Sequence, residues 1–160
     1  MSTKMLSVLA AVVAIIAVLL FLAWSAQRTL EKGLPPKDTS AANRAEGFLF
    51  ASDFAQKTGG QIYGVLGTGS MAPYIPAGLA TDTVAYAVTR KDATIRDVVP
   101  GDVCLYKRAD AAYTGLVIHS AAEFTSAGWI MSGLGNARHD IRMTEANFVG
   151  IVAKVFVWKG

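Results

Sequence analysis

Apolar and polar positions divide this chain into two unlike parts. Residues 5–24, MLSVLAAVVAIIAVLLFLAW, form one apolar run in which Ser7 is the sole polar side chain and no residue is charged. A helix of that length is about 30 Å long, the thickness of a bilayer's hydrocarbon core. Trp24 stands where an interfacial aromatic belongs. The apolar region of a cleavable signal peptide has about 7–15 residues, and this run is longer. The pattern therefore predicts an uncleaved, single-pass N-terminal anchor over residues 1–26. Lys4 precedes the run, and Arg28, Lys32 and Lys37 follow it. That distribution by itself favours a cytoplasmic body.

Beyond Trp24 the pattern changes. Residues 27–42 are polar, hold Pro35-Pro36 and lack apolar periodicity, so they read as a juxtamembrane linker. Asn43 to Lys57 reads as one short helix with Phe48, Leu49, Phe50 and Phe54 as its apolar positions, ended by Gly59-Gly60. Short apolar stretches follow at Gln61–Leu66, Asp82–Thr89, Asp102–Arg108, Gly115–Phe124, Gly128–Ser132 and Phe148–Trp158. Glycine- and proline-rich turns separate them. The expected fold class is mainly β: a small barrel or sandwich-like domain over residues 43–160, behind a single transmembrane helix.

Composition locates the excess of apolar residues rather than altering this picture. The 160 residues are 52% hydrophobic with a mean hydropathy of +0.38, and the apolar run accounts for the surplus. The net charge of +3 comes with no basic cluster, which argues against nucleic acid as a partner. One span excludes a polytopic transporter. Cys104 is the lone cysteine and sits in an apolar stretch, so a buried, inert thiol is expected. His119 and His139 have no Cys or His partner at a ligand spacing. Neither a metal nor a cofactor is expected.

Three stretches hold candidate chemistry. In Gly67-Thr68-Gly69-Ser70-Met71-Ala72-Pro73 the glycines permit a tight path that leaves Ser70 unshielded. A serine becomes a nucleophile when a base lies in hydrogen-bond reach and donors await the oxyanion. The alternative is a plain Gly/Ser loop. His119 ends the apolar run Leu116-Val117-Ile118, where partial burial would keep an imidazole neutral, as a general base requires. The alternative is an ordinary core histidine. Asp140, in Gly135-Asn136-Ala137-Arg138-His139-Asp140, offers a carboxylate to orient an imidazole. The alternatives are pairing with Arg138 or Arg142, or plain solvation.

In this order the stretches resemble the type I signal peptidases. They run Gly69-Ser70-Met71-x-Pro73, Gly101-Asp102-Val103, an apolar strand ending in His119, then a Gly-x-x-Asn…Asp segment. The likeness is to the Ser-His branch known from archaea, the endoplasmic reticulum and some Gram-positive bacteria. It covers roughly residues 60–157 together with the anchor. It implies Ser70 as nucleophile, His119 as base, Thr68 as an oxyanion-hole hydroxyl and Asp140 as the later aspartate, with Asp102 structural. Two positions depart from the pattern: Ser120 follows the histidine where the family usually has Arg, and Leu134 replaces an Asp in the last box.

The resemblance implies a monomeric, membrane-anchored serine endopeptidase with its body outside the cytoplasm. Its substrates would be signal peptides or a few exported precursors, bound as an extended strand and cut after small residues. Membrane lipid would be its other partner. Met71, Tyr74 and Ile75 are expected either to form an apolar rim facing substrate or membrane or to be ordinary core residues. Two other functions remain open. One is a self-cleaving Ser-Lys protease of the SOS-repressor type, for which Lys107 stands 37 residues after Ser70, though one strand too early. The other is a degenerate, anchored β-domain serving as a binding module.

Overall fold

The structure, a computed structural model, describes residues 13, 15–19, 33–79, 81–109, 114–135 and 142–158. Two compact units are present, Met1–Gly33 and Leu34–Gly160. In the first, Val13 and Ile15–Leu19 are helical with exposed side chains. The rest of the predicted anchor lies outside the described residues. Among the described residues no helix is long and apolar enough to cross a membrane.

The second unit is mainly β, as the pattern predicts. Its elements are β1 (Lys37–Asp38), α1 (Arg44–Thr58), β2 (Ile62–Leu66), β3 (Thr83–Thr89), β4 (Val103–Ala109), β5 (Thr114–Thr125), β6 (Gly128–Ser132) and β7 (Phe148–Val157). A short 3-10 turn, Ile95–Asp97, precedes β4. All strands join one seven-stranded sheet in the order β2-β3-β7-β4-β5-β6, with β1 alongside β7. Every pairing is antiparallel except that of β1 with β7. Six strands and the helix match the sequence reading to within about a residue. β1 was not expected, since it falls inside the segment read as a linker.

The helix forms where its caps are strongest. Asn43 accepts the Glu46 N–H at 3.0 Å, and Gly59, at φ 73°, closes the far end by donating to Ala55 O. Its packing face differs from expectation. Gly47, Ala51 and Ala55 are the buried positions, while Phe48 and Leu49 are 47% and 65% exposed. Small residues let the helix approach the sheet closely, and a Cβ at Gly47 would stand 2.8 Å from the Trp158 ring.

Alternation along β4 and β5 separates two packing environments. Val103, Leu105 and Ile118 join a core that holds Val65, Met71, Tyr74, Ile75, Ala85, Ala87 and Val155. Cys104, Tyr106 and Ala121 join another with Trp129, Met131, Met143 and Ile151. Ala51 and Ala55 of α1 cover Val88 and Phe156.

Candidate active site around Ser70

The loop carrying Ser70 leaves β2 at Leu66, where the pairing with β3 shifts register. Its neck is closed by backbone bonds from Gly67 N to Asp82 O (3.0 Å) and from Gly78 N to Gly67 O (2.9 Å). A Cβ at Gly67 would lie 2.7 Å from Gly78 N, so only glycine fits this approach. Gly69 takes φ 78°, the left-handed region that favours glycine. Two overlapping turns then shape the serine segment: Ala72 N donates to Gly69 O and Ile75 N to Met71 O, each at 3.0 Å.

Ser70 is half-buried and Thr68 exposed, with their hydroxyl oxygens 3.3 Å apart. Beside them Val65, Leu66, Met71, Ile75 and Ile118 line a depression of about 190 Å³, open mouth included. Gly135 clamps the loop from outside: its N–H donates to Ser70 O at 2.9 Å. A Cβ at Gly135 would come within 2.5 Å of Gly69 O. The Gly133-Leu134-Gly135 stretch thus touches the serine loop. Asp140, further along the same segment, lies outside the described residues.

His119 follows Ile118 on β5, but the two side chains leave opposite sides of the strand. Ile118 takes the Ser70 side. His119, 4% exposed, stands across from Cys104. Its Nδ1 lies 3.2 Å from the hydroxyl oxygen of the fully buried Tyr106. Their ring centroids are 6.3 Å apart at an interplanar angle of 57°. Tyr106 pairs with Val117, which makes His119 its diagonal neighbour, a position within reach of an aromatic side chain. Cys104 beside them is buried as expected, and burial pushes its thiol up to about 12.

The structure therefore brings Thr68 to Ser70 and Tyr106 to His119. Tyr106 was not singled out from the sequence; the signal for it was its place two residues after Cys104 on an alternating strand. Lys107 is exposed and lies on the Leu105 side of β4, directly across from Leu116 and diagonal to Ile118. That is the side of the sheet on which the Ser70 loop packs. Asp102 is buried at the start of β4. It accepts from Arg90 at 3.2 Å and from Val99 N at 3.0 Å, so it holds the turn into the strand.

Of the two expectations for Met71, Tyr74 and Ile75, burial favours core packing over an exposed rim. Met71, Tyr74 and Ile75 are 3%, 9% and 2% exposed and belong to the core. The turns after Ser70 direct them inward, where they fill the space between the loop and the sheet. In comparisons with known proteins no family model, curated protein or solved structure matches this chain.

Proposed function

We propose that this chain is a membrane-anchored serine endopeptidase of the signal-peptidase type. The observation that carries the reading is the Thr68–Ser70 hydroxyl pair, on a glycine-shaped loop beside a small depression. Ser70 attacks the scissile carbonyl of an extended peptide. The Ser70 N–H and the Thr68 hydroxyl steady the oxyanion. In the Ser-His reading His119 accepts the Ser70 proton and returns it to the leaving amine, with Asp140 orienting the imidazole, although Ile118 rather than His119 takes the Ser70 side of β5. Transfer requires an imidazole nitrogen in hydrogen-bond reach of Ser70 Oγ, directly or through one water. A small depression beside Ser70 leaves room for no more than a small side chain such as Ala next to the scissile bond, and strand addition supplies the main-chain bonds. No cofactor enters this mechanism.

Residues 5–24 serve as the span, and the β domain works as a monomer on the extracytoplasmic side, where precursors emerge. The uninterrupted apolar run and the exposed helical side chains at Val13 and Ile15–Leu19 support the membrane assignment. Signal peptides or a few exported precursors are the substrates.

A Ser-Lys mechanism is the second reading. One observation favours it: Lys107 shares its side of the sheet with Ile118, which lines the Ser70 depression. In that reading the Lys107 amine takes the place of the imidazole as the base.

A serine-directed acylator applied to the purified full chain tests both readings at once. Modification is expected at Ser70 and is lost in Ser70→Ala. Thr68→Val should slow it on the order of 10²-fold through loss of an oxyanion donor. If Ser70 stays unmodified under every condition, the peptidase reading falls and a binding module remains.

A further inference from the structure

The segment Leu34–Lys37 was expected to be a linker, yet it is bonded to the back of the serine loop. The Tyr74 hydroxyl donates to Pro35 O at 2.5 Å, inside the core. The Lys37 ammonium donates to Tyr74 O at 3.1 Å and lies 5.4 Å from the centre of the Tyr74 ring. Leu34 packs against the same core as Met71 and Ile75. The far side of the segment is pinned to the sheet: Val155 N donates to Pro36 O at 3.0 Å, and Lys37 pairs with Val155 as β1. The segment is thus fastened to β7 on one side and to Tyr74 on the other.

Tyr74 lies within the turns that shape the serine segment. Ile75 N holds Met71 O, and Ala72 N holds Gly69 O. A displacement of Tyr74 therefore reaches Met71, the residue next to Ser70, through one hydrogen bond.

We infer that Leu34–Lys37 is a strap that sets the position of Ser70, with Tyr74 and Lys37 as positioning residues. This rests on the reading of Ser70 as the nucleophile, and it is independent of which base serves it. The β domain begins at Leu34, so among the described residues its entering segment bears on the catalytic loop. The bonds reach the loop as a unit: Lys37 fixes the Tyr74 carbonyl while Pro35 fixes the Tyr74 hydroxyl. A loop so held keeps its nucleophile in place before substrate arrives, which favours turnover more than binding.

Tyr74→Phe and Lys37→Met in the full-length chain test the strap, with Lys37→Arg as the conservative control. Amide hydrogen exchange gives a readout that needs no activity. Exchange at Ala72 and Ile75 should quicken about tenfold in either variant, the worth of roughly one hydrogen bond. The β4 and β7 amides should keep their wild-type protection. With a peptide substrate, kcat should fall about tenfold with KM within about twofold, and Lys37→Arg should restore it. Unchanged exchange at Ala72 and Ile75 overturns the strap. So does an equal quickening across β4 and β7, which marks plain destabilisation. Should Tyr74→Phe not fold, Lys37→Met alone decides. Absence of acylation at Ser70 in the wild type defeats the peptidase reading, while the exchange result still decides the strap.

Discussion

The two sides of the β4–β5 hairpin are built by different means. On the Ile118 side, the serine loop is held by main-chain bonds that only glycine permits, and its apolar side chains turn into the core. On the other side, Tyr106 and Cys104 are packed with Trp129, Met131 and Met143, and the tyrosine hydroxyl meets the His119 imidazole. One side exposes a hydroxyl to solvent; the other withdraws polar groups from it. Neighbouring residues 118 and 119 fall into different environments because the side-chain period of a strand is two. Proximity along the chain therefore says little about which of two adjacent residues serves a site.

The sharpest way to break this comparison is to remove each candidate base. If His119 is the base, His119→Ala should lower kcat on the order of 10⁴-fold or more, and Ser70→Ala by a similar factor. The double variant should be little worse than either, because groups acting as a unit are not additive. Lys107→Ala should then keep most activity. The reverse outcome, a dead Lys107→Ala beside an active His119→Ala, would assign catalysis to the Ile118 side alone and make the imidazole a core residue. Peptide cleavage by the four purified variants decides between them.

Much of the fold was legible in the sequence, for reasons that are local. Asn43 with Glu46, and Gly59 after Thr58, mark helix ends through bonds spanning three or four residues. Apolar stretches between Gly/Pro turns mark the strands, and Gly67 and Gly69 mark the tight loop around Ser70. What was not legible depends on partners far away in the chain. The strap carries two prolines and no periodicity, and its bond to Tyr74 spans 39 residues. The ion pair just beyond it, from Asp38 to Lys154, spans 116. Tyr106 could be matched to His119 only once the β4–β5 register was known. The helix misled through Phe48 and Leu49, because close approach to Trp158 selected its small residues for the buried face.

Tyr106→Phe sharpens the other side of the comparison at smaller cost. The ring keeps its packing, and the imidazole loses a buried partner. Loss of one intramolecular hydrogen bond costs about 0.5–1.5 kcal/mol. Urea denaturation should show a loss in that range with an unchanged slope. A loss near zero would mean that the hydroxyl does little for the fold. Alkylation of Cys104, slow in the native wild type because the thiol is buried and its pKa is raised to about 12, should quicken in the same variant as the protein opens more often.

The smallest effect belongs to Asp38, the β1 residue just beyond the strap. The Asp38 carboxylate accepts from the Ser40 hydroxyl at 2.5 Å, from the Ser40 N–H at 3.0 Å and from Lys154 at 2.9 Å. These bonds, the Ser40 hydroxyl first, lower its pKa from the usual 3.8 to about 2. A carboxyl whose folded pKa lies below its unfolded one adds stability that is fully present above the unfolded value. That stability is lost as pH falls through the folded one. Its window is therefore pH 4 down to 2. Solvent screening limits the contribution to about 1 kcal/mol or less. Asp38→Asn should cost about that much at neutral pH, and the gap from wild type should close as the buffer is acidified to pH 2. Stability curves that stay parallel across this range would show that the ion pair contributes nothing. If the gap closes and exchange at Val155, the amide bonded to Pro36, quickens in acid before that of β5, the strap is the weaker fastening. The side of the sheet that carries Ser70 then loosens before the side that carries His119.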